Sequence, residues 1–219
     1  YFHDDVPRQA LANALAYGDL LARRAPVRAH HENDPDPERR IKVGMVSGDL
    51  RNHPVGIFVE SVLSHIDASK IELSAYVTVS REDDRTQRIK ACFAQWQDVS
   101  SLEDDELESR IVADKIDVLL DMSGYTAHNR LSVFARKPAP ISASWIGYFA
   151  TTGVKAIDYV LCDRWVIPEG EEYQWVETPW RLPYGYLCFT PPRQEVQIGP
   201  QPCLKSGELI FGSFNNPNK

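Results

Sequence analysis

Apolar residues recur along the first stretch of the chain at helical spacing. Leu11, Ala14, Leu15, Gly18 and Leu21 fall on one stripe, which predicts a helix over 7–25. Asp5 is placed to cap it, Pro7 sits near its first turn, and Arg23-Arg24-Ala25-Pro26 end it. A single narrow stripe must be buried against something, either the chain that follows or a segment upstream. The pattern then stops: residues 30–40, HHENDPDPERR, are charged, Pro-containing and without period, and read as a linker. Adjacent His30 and His31 in such a linker read as solvent-exposed side chains rather than metal ligands.

From residue 41 onward short apolar runs alternate with amphipathic stretches. Strands are predicted over 41–47 (IKVGMVS), 71–79 (IELSAYVTV), 116–122 (IDVLLDM), 141–145 (ISASW) and 158–161 (DYVL). Helices are predicted over 54–66, with Ile57, Phe58, Ser61, Val62 and Ile66 on one face, over 84–96, over 101–114 behind an approximate capping box, and over 131–136. Strands that alternate with helices are joined by right-handed crossovers into a mostly parallel sheet, so the fold class is α/β, Rossmann-like. Residues 164–192 change texture. They carry Trp165, Tyr173, Trp175, Trp180, Tyr184, Tyr186 and Phe189 between prolines, and read as irregular chain packed over the sheet, with a sugar-stacking or acceptor platform as the alternative. After a Pro/Gly linker at 198–207, residues 208–214 (ELIFGSF) read as a fresh strand, the first of a second α/β domain.

Composition narrows the classes. The 219 residues are 43% hydrophobic and 25% charged, with a net charge of -7. A basic field for sequence-independent nucleic-acid binding is lacking. No apolar run approaches the roughly 20 residues of a membrane-spanning helix. The four cysteines, Cys92, Cys162, Cys188 and Cys203, form no C-x-x-C pair and read as reduced, buried thiols. Together with the absence of an apolar signal core this points to a cytoplasmic protein. The opening Tyr1-Phe2-His3 has no initiator Met and reads as the start of an internal piece or a processed product.

In an open parallel sheet, ligands bind beyond the carboxyl ends of the strands. Three predicted loops lie there: 48–54, 123–129 and 147–153. The first leads into a helix N-terminus, where free N–H groups favour an anion or a polar oxygen. His53 stands at that point between Asn52 and Pro54, and its imidazole can move a proton near neutral pH; local capping by Asn52, with a His that merely packs, is the alternative. The third loop is rich in Gly and Thr, which suits close backbone approach, although tight turns look the same. Asp49 and Asp121 are placed either to flank a cleft or to cap turns. The dinucleotide G-x-G-x-x-G, the P-loop and the G-x-S-x-G elbow are all missing.

The stretches VGMVSGDLRNHPVGIF (43–58), IDVLLDMSGYTAHNRLSVFARKPAPISASWIGYFATTG (116–153) and IDYVLCDRWVIP (157–168) resemble the catalytic region of O-linked N-acetylglucosamine transferases and their SPINDLY relatives. The resemblance implies the first half of a GT-B core, in which two Rossmann-like domains face each other across the donor nucleotide. It implies inverting, metal-independent transfer from a UDP-sugar, with N-acetylglucosamine as the sugar, to a Ser or Thr of a protein. It implies no cofactor beyond the donor substrate and tetratricopeptide repeats upstream. The chain then divides into a connector helix (1–29), a linker (30–40), an N-terminal catalytic domain (41–195), and a linker with the first strand of a second domain (196–219). Carried over by position, His53 is the residue that assists proton transfer or holds the donor sugar. Asn52, Pro54, Gly124, Tyr125, Thr126, Gly147, Tyr148, Thr151, Thr152 and Gly153 fall in the substrate-binding loops. This chain departs from the animal enzymes, which carry further histidines where it has Val112 and Asp117, and it has Phe149-Ala150 in place of the commoner Pro-Gly. The main nucleotide contacts belong to the second domain, so the chain alone is expected to bind UDP-sugars weakly and not to turn over. Transfer of fucose or glucose instead, or a non-enzymatic interaction module on the same scaffold, are the competing expectations.

Overall fold

The computed structural model describes residues 6–24, 26–189 and 197–214. Seven strands form one sheet: β1 (Ile41–Ser47), β2 (Ile71–Val77), β3 (Gln95–Asp98), β4 (Val118–Asp121), β5 (Ile141–Ser144), β6 (Tyr159–Cys162) and β7 (Thr178–Arg181). Their order is β3-β2-β1-β4-β5-β6-β7, and every pair is parallel. Chain order reverses between β1 and β4, which pair from Val43↔Val118 to Val46↔Asp121. Such a reversal opens a crevice beyond the carboxyl ends of the two strands.

Side chains on successive strand residues alternate between faces, and the core divides accordingly. Met45, Leu73, Ala75, Val77 and Leu120 pack with Val55, Val59 and Leu63 of α2 (Pro54–Ser64) and Ile89 of α3 (Asp84–Lys90). Val46, Tyr76 and Leu119 pack on the other face with Leu107 and Ile111 of α4 (Asp104–Ala113) and Leu131, Val133 and Phe134 of α5 (Leu131–Phe134). Among the described residues, no helix is long and apolar enough to cross a membrane.

The apolar stripe of α1 (Val6–Arg24) finds its partner in the domain that follows it. Ala14, Gly18 and Leu21 are buried, and Leu21 joins the core of α4 and α5. The contact is backbone to backbone: a Cβ on Gly18 would lie 1.9 Å from the Gly153 carbonyl oxygen, and one on Gly153 would lie 2.1 Å from the Ala14 carbonyl oxygen. Asp5, Ala25, the 195/196 domain boundary and the chain end beyond 214 lie outside the described residues.

Several expectations are corrected. The helix expected over 84–96 stops at Lys90, and Gln95–Asp98 is β3. Pairing decides this, because the Ala94 N–H donates to Leu73 O and β3 runs beside β2 from Ser74↔Gln95. Over its described part, 164–189, the aromatic stretch is not a packed apron. Thr178–Arg181 joins the sheet edge as β7, while Trp165, Tyr173, Trp180, Tyr184 and Phe189 are exposed, Tyr184 to 99%. Trp175 and Tyr186 do pack partly against the core. Residues 208–214 form no strand; Phe211 is 95% exposed there, and a strand without a neighbour has no ladder to join. A single short helix, α6 (Cys203–Ser206), precedes it. The 30–40 segment, irregular throughout, is pinned to the fold. Asn33 Nδ2 donates to Lys115 O, Ile116 O and Asp117 Oδ1, and Arg39 forks onto Asp117. His31 is half-buried, with its Nε2 enclosed. The four cysteines are free, but only Cys162 is buried and Cys188 is exposed.

The seat of α1 makes Gly18→Ala diagnostic. In an open helix this change stabilises by about 1 kcal/mol. Here the added methyl meets a carbonyl, and a loss of about 1–3 kcal/mol is expected, the usual cost of overpacking. Urea denaturation reads the sign; a variant at least as stable as wild type contradicts the docking.

Candidate functional site

The loops that follow β1, β4 and β5 converge on the crevice. After β1 the chain descends through tight backbone bonds, Arg51 N–H to Asp49 O (2.8 Å) and His53 N–H to Arg51 O (2.7 Å), and enters α2. Asn52 and Pro54 are exposed, and the Asn52 N–H donates to Asp83 Oδ2 at 2.7 Å. Asp83 also caps α3, so one carboxylate ties the two helix starts together.

His53 is the N-cap of α2, with extended backbone. Its Nδ1 accepts the Val55 N–H at 3.3 Å and lies 3.6 Å from Asp49 Oδ2. Capping by a side-chain acceptor is ordinarily the work of Ser, Thr, Asp or Asn. Assigned from that bond, the neutral ring carries its hydrogen on Nε2, the edge away from the backbone. The side chain is about a third exposed. The cap is thus supplied by His53 itself and not by the Asn52 side chain.

Beyond β4, buried Asp121 gathers the turn. It accepts the Ser123 and Gly124 N–H groups at 3.0–3.2 Å and the Ser144 hydroxyl at 3.2 Å. Of the two readings of Asp121, turn capping is the one observed. Burial pushes its carboxyl up to about 6, against the pull of these donors and with a further push from the Glu177 charge. The loops after β4 and β5 then stack backbone on backbone. A Cβ on Gly147 would lie 2.2 Å from the Met122 carbonyl, and one on Gly124, whose φ is +52°, 2.2 Å from Tyr148 Cβ. Between them Ile146 holds a φ of 52°, strained for a β-branched residue.

The predicted binding residues separate into two groups. Tyr125, Gly147 and Tyr148 are half-buried, and Phe149 is 65% exposed. The Tyr125 ring lies 5.3 Å from that of Tyr148, which lies 4.6 Å from Phe149. Burial pushes the Tyr125 phenol up to about 12, and it donates to Thr152 O at 2.6 Å. Thr126 spends its hydroxyl on Ser123 O. Thr151, Thr152 and Gly153 are buried. Both threonine hydroxyls donate to Glu177, so their side chains face the fold and not the crevice. Glu177 and His128 are not among the residues that the sequence pattern marks. Glu177 carried no signal in the aromatic stretch. His128 is exposed at a φ of 62° and is close to Gly48, where a Cβ would lie 3.6 Å from its own. A histidine next to a G-Y-T loop was the legible hint for it. Val112 and Asp117, the positions without the further histidines, lie at the opposite end of β4 from these loops, where Asp117 is held by Arg39.

Comparison with known proteins agrees with this geometry. The sequence pattern of glycosyl transferase family 41 matches residues 15–188. The Arabidopsis thaliana protein described as probable UDP-N-acetylglucosamine–peptide N-acetylglucosaminyltransferase SPINDLY is 35% identical over 204 residues, covering 91% of this chain and 22% of that protein. Its SEC counterpart in the same plant is 33% identical over 150 residues, 68% of this chain and 15% of that protein. A solved mutant of the Thermobaculum terrenum O-GlcNAc transferase superposes with a TM-score of 0.79 at 39% identity, over 85% of this chain and 36% of the other. The chain therefore spans about a fifth of the length of the curated SPINDLY relatives.

Asp121 gives the crevice a pH signature. Its folded value of about 6 exceeds the ordinary 3.8, so its contribution to stability is complete below about pH 4 and is lost as pH rises through 6. The stability of wild type relative to Asp121→Asn is expected to fall across that window by at most about 3 kcal/mol. Chemical denaturation at pH 4, 5, 6 and 7 measures it, and a flat difference contradicts the assignment.

Proposed function

The chain belongs to glycosyl transferase family 41, and on that premise we propose that it supplies one wall of the cleft in an inverting, metal-independent transfer from UDP-N-acetylglucosamine to a Ser or Thr hydroxyl of a protein. The observation that carries this reading is the convergence of the loops after β1, β4 and β5 on the strand-order reversal, with His53 at a helix N-terminus among them. Two charges move in such a reaction. The attacking hydroxyl sheds a proton, and the departing diphosphate gains negative charge that fixed donors stabilise.

Of the two roles open to His53, the cap bond favours holding the donor. With Nδ1 engaged by the Val55 N–H, the neutral ring presents Nε2–H and donates to an oxygen of the sugar or diphosphate. The positive end of the α2 dipole acts in the same direction. Residues 147–150, half-buried or exposed on a strained turn, offer backbone groups and the Tyr148 and Phe149 rings to the sugar and the acceptor. The remaining nucleotide contacts come from a second domain, and repeats upstream present the acceptor.

The test is a donor panel on the full-length protein: nucleotide-activated N-acetylglucosamine, fucose and glucose, with mass-spectrometric readout of an acceptor peptide library. Transfer of N-acetylglucosamine is expected, with His53→Ala lowering kcat/KM by ~10²-fold. His53→Gln, whose amide nitrogen reaches the place of Nε2, is expected to retain more activity than His53→Ala. Folded protein without transfer from any donor contradicts the function, and equal activity of wild type and His53→Ala contradicts the role of His53.

A further inference from the structure

Residues 151–153 are held on two sides. On one side the backbone of α1 presses on Gly153 through Ala14 and Gly18. On the other stands Glu177, which arrives from the residue before β7 and is 2% exposed. Its Oε2 accepts the Thr151 hydroxyl at 2.6 Å; its Oε1 accepts the Thr152 N–H at 2.8 Å and the Thr152 hydroxyl.

Counting donors shows why a carboxylate stands there. The Thr151 oxygen already accepts N–H groups from Gly153 (3.2 Å) and Val176 (3.1 Å), and the Thr152 oxygen accepts the Val154 N–H (3.2 Å). Each hydroxyl proton is therefore directed to Glu177. Three donors converge on two oxygens, and a carboxylate, which is acceptor-only, satisfies all of them. An amide in its place, with its oxygen kept on the two Thr152 donors, would set an N–H donor against the Thr151 oxygen, whose lone pairs are spent. One of the Gly153 and Val176 bonds would then have to open, or a buried donor would stay unpaired.

The same residues lead to the crevice. Thr152 O takes the Tyr125 phenol, the Tyr125 ring packs on Tyr148, and residues 147–150 continue directly into the anchored turn. Buried as it is, Glu177 has no access to a ligand. We propose that Glu177 is a positioning residue: its carboxylate fixes the 151–154 turn and thereby the ligand-facing residues 147–150. This rests on the proposed transferase reading, and its test separates the two.

The experiment compares Glu177→Gln with wild type in the full-length protein by thermal melting, residue-resolved amide hydrogen exchange, and donor and acceptor kinetics. The variant is expected to stay folded, with exchange at Thr152, Gly153 and Val154 faster by about tenfold or more, as an unpaired buried donor requires, while β1 and β4 amides keep their rates. Misplacing residues 147–150 is expected to lower kcat/KM with UDP-N-acetylglucosamine by about 10²-fold, with KM raised as well as kcat reduced. A merely structural loss would lower the active fraction and leave KM alone. A folded variant with wild-type exchange at 152–154, or with wild-type kcat/KM, overturns the proposal. If Glu177→Gln does not fold, Glu177→Asp, which keeps the charge and shortens the reach, decides on the same readouts. If wild type transfers no sugar, the transferase reading fails by itself, and the exchange rates at 152–154 still decide the role of Glu177.

Discussion

A parallel sheet delivers the backbone of every strand to one edge, where the N–H groups of the following turns have no ladder left to join. In this protein, buried carboxylates collect them. Asp121 takes the Ser123 and Gly124 N–H groups and the Ser144 hydroxyl; Glu177 takes the Thr152 N–H and two threonine hydroxyls. Neither carboxylate is given a cation by the described hydrogen bonds, so each draws its compensation from fixed dipoles. Such a site tolerates little movement, because a donor that turns away is left unpaired in a low-dielectric interior. The loops over the crevice inherit that rigidity.

Rigidity at the base contrasts with access at the rim. Within one loop, exposure runs from Phe149 at the tip to fully enclosed Thr152. The glycines allow the close layering: Gly147 lets the loops after β4 and β5 touch through their backbones, Gly124 makes room for the Tyr148 side chain, and Gly153 admits the backbone of α1. The helix that precedes the domain is thereby wired into the turn that carries the candidate ligand contacts. A displacement of α1 would act directly on Gly153, where the two backbones touch.

Much of this was legible in the sequence. The predicted and observed bounds of β1 coincide, and the helical stripe Ala14, Gly18, Leu21 is the buried one, because period and burial are set by the same geometry. The loops of the candidate site were identified from their place after apolar strands. What escaped notice depends on partners distant in the chain. β3 is four residues long and mostly polar, and only its pairing with β2 makes it a strand. β7 contains Pro179 and Trp180 and joins the sheet at an edge, where a proline is tolerated. Thr151 and Thr152 looked like ligand contacts because a hydroxyl that meets a buried carboxylate reads, in sequence, the same as one that meets a sugar. Glu177 lies 25 residues from Thr152, and nothing local marks it.

On the proposed reading, the crevice beyond β1, β4 and β5 holds the sugar of the donor while the buried carboxylates stay behind it. A crystal structure of the full-length protein with UDP-N-acetylglucosamine bound measures this directly. The expected result is a sugar within hydrogen-bond reach of His53 Nε2 and of the backbone at 147–150, with Glu177 still bonded to Thr151 and Thr152 and out of contact with the ligand. A donor seated away from these loops, or touching Glu177 directly, contradicts it.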